Sequence, residues 1–138
     1  MSTILFTYGT LRRGESNSHI LNTNSKYLKT VRTLNKFIMV TTEDAFFPYL
    51  ILPEYWPEMQ DKAVQVTGDI YSVNQAGITM CDELEGHPTW YIRTSIQTIT
   101  NTAEVNTVQA YILTRESWDT MSKDNLIIIN GDWKDIKQ

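Results

Sequence analysis

A chain of 138 residues and 16.0 kDa has the length of one domain. Its 41% hydrophobic residues, four Trp and seven Tyr exclude intrinsic disorder, and only six Gly and four Pro exclude a linker or collagen-like chain. Sixteen acidic against twelve basic residues leave a net charge of −4, so the basic footprint of a nucleic-acid binder is missing.

In chain order, Thr3 to Tyr8 alternates, with Ile4, Phe6 and Tyr8 on one side, and reads as a strand ending at Gly9. Asn17 to Asn22 fits one short helical turn. Lys26 to Thr42 reads as one long strand or two. Asp44 to Met59 carries three prolines beside Phe47, Tyr49 and Trp56 and reads as an irregular but packed segment. Val64 to Val73 is a strand in which Gly68 marks a bulge or a close backbone approach. Asn74 caps a helix running to Glu85, with Gly77, Met80, Cys81 and Leu84 as its apolar stripe and Gly86 and Pro88 as its stop. Tyr91 to Thr100 and Thr107 to Thr114 form a hairpin around Asn101 to Asn106. A short helix covers Arg115 to Ser122, and Leu126 to Ile129 precedes Asn130-Gly131-Asp132-Trp133. The expected class is α+β, a small curled or barrel-like sheet with a helix packed on it.

Met1 to Tyr8 lacks the pattern of a signal peptide. The longest apolar stretch, Ala45 to Pro53, is interrupted by Pro48 and falls far short of the roughly 20 residues that cross a bilayer. One cysteine, Cys81, cannot form an intramolecular disulfide, and the two histidines, His19 and His87, give no recognised metal spacing. The expectation is a cytoplasmic protein without metal, membrane or nucleic-acid partner. Cys81, on the apolar stripe, reads as inert core.

Three groups of residues are candidates for chemistry. In Tyr8-Gly9-Thr10-Leu11-Arg12-Arg13-Gly14 a strand runs into a glycine-bounded loop. Successive amides there can converge on an anion, with Arg12 and Arg13 adding positive field. An ordinary turn with solvated arginines fits the same residues. Glu85 lies one turn after Cys81, bordering the apolar stripe at the end of its helix, where desolvation and the macrodipole both push a carboxyl pKa upward. Such a group accepts protons near neutral pH. The alternative is an exposed helix-end acid. Tyr91 and Arg93 share one side of a strand. There Tyr91 meets a ligand or Glu85, or else makes an aromatic contact beside a structural Arg93 ion pair.

Together these pieces resemble the γ-glutamylcyclotransferase-like superfamily. Tyr8 to Gly14 with Asn17-Ser18-His19 resembles its N-terminal signature. Glu85-x-x-Pro88-x-x-Tyr91-x-Arg93 resembles its second. Phe47 to Pro53 and Gly68 to Val73 fall in order between them. The layout, over residues 3–114, is similar to the γ-glutamylamine cyclotransferases and small bacterial members, as is Gly131-Asp132-Trp133. Gly86-His87 departs from the pattern.

The resemblance implies one domain over residues 1–138, a small mixed β-barrel flanked by helices. It implies Glu85 as catalytic acid/base, and Tyr8, Gly9, Thr10, Leu11 and Tyr91 around a γ-glutamyl substrate whose α-carboxylate meets loop amides. No cofactor is implied, and the products would be 5-oxoproline and a free amine. Two other readings stand beside it. One is a binding module that holds a small anionic metabolite without turnover. The other is a partner-binding protein using Phe46, Phe47, Tyr49 and Trp56 as an exposed patch.

Overall fold

A computed structural model describes residues 2–9, 11–12, 24–42 and 48–133. Strand β1 (Ser2–Thr7) pairs antiparallel with β5 (Thr67–Asn74), which pairs with β2 (Ser25–Thr33). Strand β2 continues to β6 (Tyr91–Ile99), and β6 to β7 (Val105–Leu113). A parallel contact of β7 with β1, at Leu5 and Gln109, closes the barrel β1-β5-β2-β6-β7. The sequence expectation of a small mixed barrel is met. A second sheet has the order β4-β3-β8, from β3 (Ile38–Thr41), β4 (Tyr49–Ile51) and β8 (Ile127–Ile129). The helices are α1 (Gln75–Glu85) and α2 (Arg115–Thr120).

Strand β1 shows how the period-2 pattern sorts the core. Leu5 joins Ile78, Cys81, Tyr91 and Trp118 in one apolar cluster, while Phe6 and Tyr8 join Val31, Ile70, Ile96 and Val108 in another. Gly68 is a close approach. A Cβ there would lie 2.4 Å from the Thr7 carbonyl and 2.5 Å from the Phe6 ring. The bulge lies in β2, between Tyr27 and Lys29.

Two expectations are corrected here. Tyr49 to Ile51 is a buried strand, not irregular chain; Ile38 and Met39 supply the pairing that three residues between prolines cannot signal by alternation. The helix stripe is also rotated. Gly77, Ile78 and Cys81 are buried, whereas Met80 and Leu84 are 43% and 44% exposed. Gly77 sets that rotation, because a Cβ on it would lie 2.6 Å from Val73 and 2.8 Å from Asn24. The expected turn at Asn17 to Asn22, and Phe46 and Phe47, lie outside the described residues.

Both ends of α1 are capped as the sequence indicates. The Asn74 side chain accepts from the Gly77 amide at 2.9 Å. Gly86, left-handed at φ 66°, donates to Glu83 O, and His87 donates to Asp82 O at 2.9 Å, a Schellman closure. Asn74→Ala is expected to lower unfolding free energy by about 1 kcal/mol in urea titrations.

Candidate active site

Glu85 is the last residue of α1, held in place by the turn that Gly86 closes. The rotated stripe puts it one turn beyond Cys81 on the packed face, and the residue is half-buried. Its carboxyl is pushed up to about 7, and burial is the cause. Among the described residues it has neither a hydrogen-bond partner nor a cation. Glu83, one residue along the helix from Asp82, is exposed.

The surroundings of Glu85 come from three strands. Tyr8, just past β1, is buried, and its hydroxyl donates to the Tyr111 carbonyl at 2.6 Å. Burial first, then the Glu85 charge, raise the Tyr8 phenol, against a smaller lowering by the Leu50 backbone. Tyr91, at the start of β6, donates to the Pro48 carbonyl at 3.2 Å and stacks on Tyr49 with centroids 6.3 Å apart. Burial, then Tyr8, Glu85 and Tyr49, raise its phenol too. Both tyrosines therefore stay neutral donors at physiological pH. Trp90, 37% exposed, meets Tyr49 edge-on at 6.5 Å.

The loop after β1 lies on the same proline. A Cβ at Gly9 would sit 2.8 Å from Pro48 Cδ, so the position accepts glycine and little else. The Arg12 amide donates to the Gly9 carbonyl at 3.0 Å and closes a tight turn. Leu11 is buried in the cluster that holds Tyr91 and Cys81. Glu85 is thus coupled to Tyr8 and Tyr91, while Gly9 packs on Pro48, whose carbonyl holds Tyr91, and Leu11 shares the apolar cluster of Tyr91. Thr10 lies outside the described residues, as do Arg13 and His19.

Arg12 is corrected. It is 3% exposed, its Nε lies 3.4 Å from Asp69, and its Nη1 lies 2.7 Å from Asp132. Two carboxylates take up its charge, so it braces the turn and adds no open positive field. Tyr49 and Trp56 do not form an exposed patch. Tyr49 is 8% exposed, and Trp56 leans on Trp118 at 5.2 Å. The Cys81 thiol, buried, is pushed up to about 12 and is inert. Arg93 makes the ion pair weighed above, with Asp82 at 2.9 Å.

Three residues near the site were missed. Asp82, Tyr111 and Pro48 carry no motif of their own. Asp82 was legible only from the true rotation of α1, since it follows Ile78 by four residues on the packed face. Among the described residues no three His, Cys, Asp or Glu side chains gather as metal ligands, and no helix is long and apolar enough to cross a membrane.

Comparison with known proteins identifies the family and the fold. The family model for "Gamma-glutamyl cyclotransferase, AIG2-like" matches residues 5–135. Gamma-glutamylaminecyclotransferase A of Danio rerio is 30% identical over 119 residues, covering 83% of this chain and 70% of that protein. The Rattus norvegicus gamma-glutamylaminecyclotransferase is 32% identical over 97 residues, covering 67% of this chain and 61% of that protein. The chain spans 61% and 60% of two further Danio rerio relatives. The mouse AIG2-like protein shares the fold at a TM-score of 0.74 and 21% identity, covering 94% of this chain and 87% of that one. Part of Kluyveromyces lactis allophanate hydrolase also shares it, at a TM-score of 0.72 and 15% identity, over 99% of this chain and 21% of that one. With that match running from β1 past Trp133, over a barrel that carries Glu85 at its helix end, the chain belongs to the gamma-glutamyl cyclotransferase, AIG2-like family.

Proposed function

We propose that the protein acts on a γ-glutamyl amine and releases 5-oxoproline and the free amine. The observation that carries this reading is Glu85, a half-buried carboxyl at about 7 without a hydrogen-bond partner or cation among the described residues, coupled to Tyr8 and Tyr91. A carboxyl serving only structure is ordinarily paired.

In the reaction the substrate's α-amino nitrogen attacks its own γ-carbonyl carbon. The new C–N bond closes a five-membered lactam, and the old amide C–N bond breaks. Glu85 takes one proton from the α-ammonium to free the nucleophile and a second from the same nitrogen as the ring closes, passing each in turn to the leaving nitrogen, so the amine departs as its ammonium and protons balance without water. Folding the substrate for intramolecular attack is worth about 7–11 kcal/mol when orientation is good. The acid–base step typically adds about 10²- to 10⁴-fold. Loop amides from Gly9 to Leu11 receive the α-carboxylate in this reading, and Tyr8 and Tyr91 wall the pocket. Free hydroxyls would donate to the Glu85 carboxylate and make it a weaker base. Both hydroxyls are instead committed to backbone carbonyls.

Incubation with γ-glutamyl-ε-lysine, γ-glutamyl alkylamines and γ-glutamyl dipeptides tests the proposal by mass spectrometry of 5-oxoproline. Release from a γ-glutamyl amine is expected, with a rate that rises through pH about 7 as Glu85 deprotonates. Thermal stabilisation by these compounds with no product would favour the binding module instead.

A further inference from the structure

Behind Glu85 lies a second layer of polar contacts that the proton transfer does not use. Asp82, one turn earlier on α1, accepts from Arg93 Nε at 2.9 Å, Arg93 Nη2 at 3.3 Å and the Tyr111 hydroxyl at 2.6 Å. Its main-chain carbonyl accepts from the amides of Gly86 and His87. Burial alone would raise the Asp82 carboxyl, but the Arg93 and Tyr111 hydrogen bonds outweigh it and hold the group below its usual range. Asp82 is therefore a fixed anion that anchors the last turn of α1 by both side chain and backbone.

Tyr111 faces both halves of the site. Its hydroxyl holds Asp82, on the element that ends in Glu85, and its carbonyl holds the Tyr8 hydroxyl, on the element that leads into the Gly9 turn. Arg93 also acts twice. Its guanidinium grips Asp82, and its amide donates to His87 Nδ1 at 3.0 Å, fixing the segment just after the helix. Neighbouring strands hold both residues rigidly, since Arg93 on β6 is the direct cross-strand partner of Tyr111 on β7.

We infer that Tyr111, Asp82 and Arg93 are positioning residues, a clamp between the β6–β7 ladder and the final turn of α1 that holds the Glu85 carboxyl inward at a fixed distance from the Tyr8 side of the site. The inference rests on the proposed role of Glu85 and deepens it. The clamp sets where the proton acceptor stands, while substrate contacts lie elsewhere. Misplacing a reacting group by about 1 Å can cost on the order of 10²-fold. Loss of the clamp should therefore appear in kcat and leave KM nearly unchanged. It should also let water reach Glu85.

The titratable groups that couple directly to Glu85 are Tyr8, Tyr91 and Cys81, with Asp82, Arg93 and Tyr111 behind them and His87 just after the helix. A fair test leaves their charge unchanged. Tyr111→Phe deletes one neutral hydroxyl and keeps the carbonyl that holds Tyr8. The double variant Asp82→Ala/Arg93→Ala removes one charge of each sign. Glu85 is followed by carboxyl carbon NMR titration, assigned by difference with Glu85→Gln, alongside kcat and KM for 5-oxoproline release. Tyr111→Phe is expected to lower kcat at least fivefold with KM within about twofold, and to move the Glu85 titration down by a pH unit or more from about 7. The double variant should do the same more strongly.

If both variants fold, lose melting temperature alone and keep the wild-type Glu85 titration, the clamp is only structural and the inference is overturned. That titration needs no turnover. A wild-type protein that releases no 5-oxoproline would defeat the proposed activity, and the NMR arm would still decide the clamp.

Discussion

Glu85→Gln is expected to reduce 5-oxoproline release by about 10²- to 10⁴-fold and, at pH 8, to make the fold more stable than the wild type. The two effects share one cause. A carboxyl raised from 4.5 to about 7 in the folded state holds its proton more tightly there than in the unfolded chain. Its contribution to stability is complete below about 4.5 and is lost as pH rises through about 7. At 1.36 kcal/mol per pH unit, the loss amounts to about 3 kcal/mol. Glutamine does not titrate. Unfolding free energies of the two proteins should therefore converge near pH 4 and separate in favour of Glu85→Gln by pH 8. Urea titrations across that range read the difference, and the rate assay reads the other half. Equal stability at both pH values would show that Glu85 is not desolvated. A Gln variant with normal turnover would remove it from the chemistry.

Arg12→Met is expected to cost about 3–5 kcal/mol, the price of breaking a buried ion pair from one side. Arg12 and Asp69 are 3% and 1% exposed, and Thr30 donates to the same Asp69 carboxylate at 2.7 Å. Methionine keeps much of the volume and none of the charge. Adding Asp69→Asn should recover part of the loss, because it removes the carboxylate that Arg12 neutralises. The double variant is also informative about the site. It restores electrical balance without restoring the link from the Gly9 turn to Asp132. Recovery of stability together with a KM above that of the wild type would place the role of Arg12 in the shape of the turn. Stability curves in urea and initial rates against substrate concentration separate the two.

Much of this architecture was legible in the residues. Strand β1, the β6–β7 hairpin and both caps of α1 follow from local signals: alternation, a short polar loop, which the structure places at residues 100–104, Asn74 at one end and Gly86 at the other. Glu85 was legible because a helix end and an apolar face coincide there. The errors arose where a tertiary contact decides. Helical spacing allows either Met80 and Leu84 or Ile78 and Glu85 on the packed face, and only the approach of Gly77 to Val73 and Asn24 chooses between them. Tyr49 to Ile51 becomes a strand because Ile38 to Val40 offers an edge to pair with. Arg12 looks like a surface arginine until Asp69 and Asp132, far along the chain, are brought to it. The pairing of Tyr111 with Asp82 spans 29 positions and has no spacing signature.

The Arg12–Asp132 contact joins residues 120 positions apart. During synthesis, α1 and its caps can form as soon as residues 74 to 87 emerge, and the β6–β7 hairpin follows by local pairing. The brace on the N-terminal turn cannot exist until Asp132 has left the ribosome. The N-terminal turn is therefore locked only after the helix that ends in Glu85 and the β6–β7 hairpin have both been made.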